Sequence, residues 1–153
     1  RRAPITRPAS EPRPHPVEEA QSAEPALVVR KATAGDAGAI AALIDADAGE
    51  VAAVLRGKTS VLVAQRADII GCVAWQAIPT LQHGLIGRLT LIFVANDERR
   101  RKVGSALVEA ARTELAKLGC ALIEAISDIE IDNAHGFFRA LGFNQASYRF
   151  TIG

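Results

Sequence analysis

Four consecutive cations, Arg99, Arg100, Arg101 and Lys102, stand directly before Val103 and the small residues Gly104, Ser105 and Ala106. These residues open a stretch, 103–118, whose apolar positions Val103, Leu107, Val108, Ala111, Leu115 and Leu118 recur at helical spacing. Gly119 follows where a C-terminal cap belongs. A helix start leaves backbone N–H groups unpaired and carries the positive end of the dipole, so it attracts anions. Small side chains let a phosphate approach the backbone, and flanking guanidinium groups pair with its oxygens. The pattern predicts phosphate binding; the alternative is a solvated basic run ahead of packing residues. It is neither a nucleoside-triphosphate loop nor a dinucleotide fingerprint, because Gly-x-x-x-x-Gly-Lys-Ser/Thr and Gly-x-Gly-x-x-Gly are both absent.

The elements that must hold this loop follow from periodicity. Residues 27–30 read as a short strand. Thr33 and Asp36 mark a helix start, with Ile40, Leu43 and Ile44 at helical spacing, and residues 51–55 suggest a second short helix. Two β-rich runs, 60–65 and 69–75, are joined by a hairpin at Arg66-Ala67-Asp68. Residues 85–94 form a long apolar run suited to a central strand. After the 103–118 helix come a strand at 121–126, a helix at 133–141 ending at Gly142, and closing strands in 143–152. The order β-α-α-β-β-β-α-β-α-β describes an α/β domain with helices on both faces of a mixed sheet.

Composition narrows the function. The 153 residues are 49% hydrophobic, and 18 basic side chains nearly cancel 17 acidic ones for a net charge of +1. A general nucleic-acid or membrane-surface binder needs a one-signed field, so neither partner is expected. No apolar run approaches the roughly 20 residues that a bilayer requires. The two cysteines, Cys72 and Cys120, are too few for a disulfide scaffold or a thiolate cage; they read as small buried hydrophobes, and no metal site is expected. Six of the seven prolines fall in residues 1–26, where arginines and glutamates balance. That segment is expected to be a flexible tail or linker, or an arm on a neighbouring subunit, with the folded domain spanning 27–153. With no methionine, Arg1 is not an initiator, so the chain reads as processed, trimmed or part of a longer protein.

Two motifs carry a family resemblance. The stretch Arg99-Arg100-Arg101-Lys102-Val103-Gly104, counted from the preceding strand, resembles the Arg/Gln-x-x-Gly-x-Gly/Ala signature of the GNAT N-acetyltransferases, with Lys102 at the first glycine. Shifted by two residues, Arg101-Lys102-Val103-Gly104-Ser105-Ala106 fits the pattern literally. Later, Ala134-His135-Gly136-Phe137-Phe138-Arg139-Ala140-Leu141-Gly142-Phe143 is similar to the family's Asn-x-x-Ala-x-x-Phe-Tyr-x-x-x-Gly-Phe segment. Ile131 takes the strict place of its asparagine, and Asn133 stands two residues on. The resemblance implies a GNAT fold, a mixed sheet with splayed fourth and fifth strands, using acetyl-CoA as co-substrate. It further implies that Ile92, Phe93 and Val94 flank the pantetheine arm and that Val103, Gly104, Ser105 and Ala106 meet the pyrophosphate. Arg99, Arg100, Arg101 and Lys102 would neutralise phosphate, and Asn133 and Phe137 would line the arm from the fourth helix.

The same resemblance exposes two departures. The helix position where the family often has a proton-donating tyrosine is Phe138, and the strand position of its frequent glutamate base is Thr90. Proximity with water relaying protons could then carry the rate. Alternatively Glu124, His83 or Tyr148 substitutes, or the domain binds acyl-CoA without turnover. Asp45, Asp47, Trp75 and Thr90 are the candidate acceptor-site residues. The implied activity is cytoplasmic N-acetylation of a small primary amine of aminoglycoside, polyamine or aminoalkylphosphonate type, by a chain that forms a homodimer. The alternatives are acetylation of a protein N-terminus or lysine, and a non-catalytic acyl-CoA-binding or sensory domain of a longer protein.

Overall fold

Alternation of apolar and polar residues builds a sheet here, and two separate apolar helix stripes cover its two faces. A computed structural model describes residues 3–4, 24–126 and 134–153. Strand β1 (Val28–Lys31) leads through a 3₁₀ turn (Ala34–Asp36) into α1 (Ala37–Ile44) and α2 (Ala48–Arg56). Then come β2 (Ser60–Gln65), β3 (Ile69–Thr80), β4 (Gly84–Val94), a 3₁₀ turn (Asn96–Glu98), α3 (Val103–Lys117), β5 (Leu122–Ala125) and α4 (Ala134–Ala140). The strands lie in the order β1-β2-β3-β4-β5; the first four pair antiparallel, and β5 joins β4 in parallel. The sheet is open, and α3 makes the crossover that a parallel pair requires.

One face carries Leu62, Ala64, Val73, Trp75 and Leu89 under the α3 stripe of Val103, Leu107, Val108, Ala111 and Leu115. The other carries Val63 and Cys72 under Ala37, Ile40 and Ala41 of α1 and Val51 of α2. Close approach of α3 has a cost in side-chain volume at Gly87, where a Cβ would stand 2.5 Å from the buried Leu115 side chain. Both crossover-flanking helices end in the same way. Gly119 (φ +80°) follows α3, with its N–H on Ala116 O at 3.0 Å and the Cys120 N–H on Leu115 O at 3.1 Å. Gly142 (φ +88°) follows α4, with its N–H on Arg139 O and the Phe143 N–H on Phe138 O, both at 3.0 Å. These are paired C-terminal caps that satisfy orphan carbonyls, and the Phe138 and Phe143 rings meet edge to face across the second one.

Two expectations change. β3 continues past Trp75 to Thr80, because β4 is long enough to pair with it along its whole length. Residues 143–152 carry no strand among the described residues, and Tyr148, Phe150 and Ile152 are 81%, 91% and 99% exposed. Most of the expected tail, 1–26, lies outside the described residues. Its last part is engaged, since Glu24 forms ion pairs with Arg66 and Arg101, and Pro25 O accepts from Arg66 at 3.4 Å.

Candidate functional site

The cationic loop is held in an unusual backbone. Arg100 (φ +65°) and Lys102 (φ +62°) both adopt the left-handed conformation that glycine favours, and Lys102 does so as the N-cap of α3. Lys102 therefore takes the backbone shape of the signature's first glycine without being one. The first helical bond in α3 runs from Ala106 N–H to Lys102 O at 3.0 Å. The N–H groups of Val103, Gly104 and Ser105 consequently have no helical acceptor, whereas that of Ala106 is already used.

The four cations are not equivalent. Arg101 donates to Glu98 at 3.1 Å and is paired with Glu24. Arg66 lies 3.7 Å from Glu98 and 3.8 Å from Glu24, completing a network of two cations and two carboxylates. The hydrogen bond from Arg101, reinforced by its charge, holds the Glu24 carboxyl below its usual range. Arg99 folds back so that its Nε donates to Val94 O at 3.3 Å. Arg100 and Lys102 are exposed.

Beside this loop the sheet divides. β5 pairs with β4 only from Ile86 to Leu89. At the next residue, Thr90, β4 carries a bulge: Leu89 pairs with Trp75 and Leu91 with Ala74, leaving Thr90 between them. Its Oγ1 donates to Ala74 O at 3.3 Å. Beyond the bulge, residues 90–94 have no strand on the β5 side among the described residues, so their outward backbone groups are available to a bound chain. The split strands and the α3 start are joined by α4. A Cβ on Gly104 would lie 3.1 Å from two ring atoms of Phe137 and 3.7 Å from Val94, so Val94, Gly104 and Phe137 meet at one point. Phe138 packs edge to face on Phe137 with ring centroids 5.3 Å apart and offers no hydroxyl. Asn133 lies outside the described residues.

The remaining candidates are scattered. Glu124 on β5 faces Arg88 in register on β4, and the two form an ion pair. His83 sits in the tight β3–β4 turn with its N–H on Thr80 Oγ1 at 3.0 Å, at the opposite end of β4 from Val94. Eleven residues of strand separate them, roughly 35 Å at the usual rise. Tyr148 is 81% exposed on the segment that follows α4. Asp47 caps α2, accepting from Glu50 N–H at 3.0 Å, and Asp45 closes α1 in a left-handed turn; both are exposed. Trp75 is only 3% exposed and belongs to the core beneath α3, so it is no wall of an acceptor cavity. Burial pushes the Cys72 thiol up to about 11, as expected of an inert core cysteine. A shallow cleft of about 310 Å³ between Arg30 of β1 and Thr113 of α3 lies at the other edge of the sheet from the split. Among the described residues there is no metal-binding cluster, and no helix is long and apolar enough to cross a membrane.

The Thr90 bulge and the Arg88–Glu124 pair are functional candidates that pattern reading missed in this form. A bulge leaves no signature in residue type, and a cross-strand pair needs a register that sequence alone does not supply.

The site is thus built where a parallel strand pair parts beside a helix start whose first three N–H groups have no helical acceptor. Residues 57–145 match the acetyltransferase (GNAT) domain, more than half of the chain, and the chain belongs to that family. Members of the family use acetyl-CoA, and the three free amides beside a glycine too crowded for a side chain fit its pyrophosphate. The aminoalkylphosphonate N-acetyltransferase of Salmonella typhimurium is 29% identical over 91 residues, 59% of each protein. The chain thus spans less than two thirds of that relative. A transcriptional regulator from Bacillus halodurans C-125 superposes with a TM-score of 0.76 at 20% identity, covering 84% of this chain and 99% of that one. The aminoglycoside N-acetyltransferase AAC(6')-Iy, in complex with the bisubstrate analog CoA-S-monomethyl-acetylneamine, gives 0.73 at 17% identity over 84% and 97%. These two likenesses establish the fold.

Proposed function

We propose that this chain transfers the acetyl group of acetyl-CoA to a primary amine of a small molecule by direct attack of the amine on the thioester. The observation that carries this reading is the meeting of the open stretch of β4, the unpaired amides of α3 and Phe137 at Gly104. Acetyl-CoA supplies an activated acyl group. Backbone groups of residues 90–94 hold its arm, and the amides of Val103, Gly104 and Ser105 receive the pyrophosphate. Arg99, Arg100 and Lys102 add charge, while Arg101, already paired with Glu24 and Glu98, shapes the loop.

With Phe138 and Thr90 at the usual acid and base positions, most of the rate comes from holding amine and thioester together. Protons leave through water or through Glu124, the nearest candidate carboxylate to the split. His83 stands apart from it, in the turn that opens β4. The similarity to an aminoalkylphosphonate acetyltransferase supports a small acceptor. The reducing cytoplasm suits the two free thiols. We also infer a homodimer, from the exposed apolar row Tyr148, Phe150 and Ile152.

Calorimetry with acetyl-CoA tests the co-substrate. Binding is expected, weakened about tenfold or more by Arg99→Ala and lost in Gly104→Glu, whose side chain enters the point where Phe137 and Val94 meet. Undiminished binding in both variants overturns the assignment. A thiol-release screen across small amines and lysine- or N-terminus-bearing peptides then tests the reaction. Turnover with small amines is expected; turnover confined to peptides, or none at all, would replace this reading with protein acetylation or with a binding module.

A further inference from the structure

The ion pair Arg88–Glu124 sits on the face of the sheet opposite α3, two residues before the strands part. Its surroundings follow from the register. Gln76, Arg88 and Glu124 lie side by side across β3, β4 and β5, so they share one face. The helices α1 and α2 cover that face only farther along, over Val63, Cys72 and Phe93. Among the described residues the row is left partly open, with Arg88 41% and Glu124 35% exposed. Leu91 flanks it on the side of the split, and Ile86, paired with Leu122, flanks it on the other. Gln76 is turned away, its Nε2 donating to Thr59 Oγ1 at 2.9 Å.

A half-exposed pair of this kind adds little to stability. It does place one guanidinium and one carboxylate roughly 7 Å from the bulge, given the rise of a strand, between the apolar side chains of Leu91 and Ile86. We propose that Arg88 and Glu124 are the acceptor-recognition pair. They select a small zwitterion in which a primary ammonium and an oxyanion (phosphonate or carboxylate) are joined by a short spacer. Glu124 takes the ammonium and Arg88 takes the oxyanion. The two protein charges exchange partners together, so neither is left uncompensated. A guanidinium fork suits a phosphonate in particular, since two N–H groups meet two oxygens. A polycation would satisfy Glu124 while leaving Arg88 facing a like charge. An amine without an anion would leave Arg88 with nothing in exchange for its carboxylate. Asp47, one of the expected acceptor-site residues, is occupied in capping α2.

This inference rests on the acetyltransferase reading and is separable from it. Initial rates are measured with saturating acetyl-CoA against 2-aminoethylphosphonate, β-alanine, ethanolamine and spermidine, for the native chain, Arg88→Gln and Glu124→Gln. The native chain is expected to prefer the two zwitterions, and the phosphonate over the carboxylate. Arg88→Gln should raise KM for 2-aminoethylphosphonate at least tenfold, with little change for ethanolamine. Glu124→Gln should raise KM for every amine. Affinity for acetyl-CoA should be unchanged in both, which also shows that they fold. A native preference for spermidine or ethanolamine, or an Arg88→Gln effect equal across acceptors, overturns the pair while leaving the acetyltransferase reading intact. If no amine turns over, calorimetry of 2-aminoethylphosphonate against the protein with bound CoA decides. Absence of binding, or binding unaffected by Arg88→Gln, likewise overturns it. Failure to bind acetyl-CoA removes the acetyltransferase reading instead.

Discussion

Lys102 combines two effects that a single substitution separates. Its left-handed backbone (φ +62°) costs an L-residue with a Cβ about 1 kcal/mol relative to glycine. Strain of this kind gathers where a ligand needs a particular backbone, and here it turns the start of α3 outward with its amides unpaired. Lys102→Gly relieves the strain but gives the unfolded chain more freedom, which offsets part of the gain. The expected outcome in thermal unfolding is a Tm unchanged or raised by a few degrees, while acetyl-CoA affinity falls several-fold because a cation is lost. A lowered Tm would mean that the lysine side chain, not the backbone shape, stabilises the loop. Cys72 offers a simpler check. It is 1% exposed with its thiol pushed up to about 11, whereas Cys120 is half-buried. Under native conditions one equivalent of iodoacetamide label is expected, on Cys120. The second should appear only on unfolding, as read by mass spectrometry; rapid labelling of Cys72 would show that the α1 side of the core opens easily.

The junction of β1 with the first helix is governed by Asp36. Its carboxylate accepts from Arg30 Nη1 at 2.8 Å and Nη2 at 3.0 Å, and from Thr33 N–H at 2.7 Å. Arg30 first, then the Thr33 N–H, holds this carboxyl well below the usual carboxylate range. A depressed folded-state pKa contributes stability that is fully present above the unfolded value of 3.8 and is lost as pH falls below it toward the folded value. Asp36→Asn is therefore expected to cost about 1–2 kcal/mol at neutral pH. Denaturant titrations should show that gap constant from pH 7 to 5 and narrowing below about pH 4. A gap independent of pH would assign the loss to packing. Thr33 and Asp36 were legible in the sequence as a helix start, and so were β2 and the α3 stripe, because periodicity and caps are local properties. The site was half legible. Residue type alone singled out Arg99 to Ala106 as a candidate anion loop, but not its backbone: the left-handed Lys102 stands where a glycine is expected. The bulge at Thr90 depends on how β4 meets β3, a non-local property. Trp75 depends on the same non-local property: a large aromatic on a strand points to either face, and the register turns it under α3.

Residues 143–152 raise the matching question for the whole molecule. Their alternation of Tyr148, Phe150 and Ile152 with polar residues is a strand pattern, yet among the described residues it is no strand of the sheet. The sheet meanwhile ends at β5, whose outer edge is unpaired among the described residues and whose Leu122 is 44% exposed. One chain thus carries both an apolar strand-like segment and an open edge. Such a pair of features is self-complementary, and a two-fold arrangement would use both twice. Three large side chains exposed in a row exceed what isolated surface apolar residues require. Sedimentation equilibrium of the native chain is expected to give a dimer, and Phe150→Ser with Ile152→Ser a monomer. Acetyl-CoA affinity should persist in that variant, since both side chains are almost wholly exposed. A native chain that remains monomeric at tens of micromolar would remove the dimer and leave the exposed row without a partner. A variant that still dimerises would place the interface on another face, the shallow cleft between β1 and α3 being the first to examine.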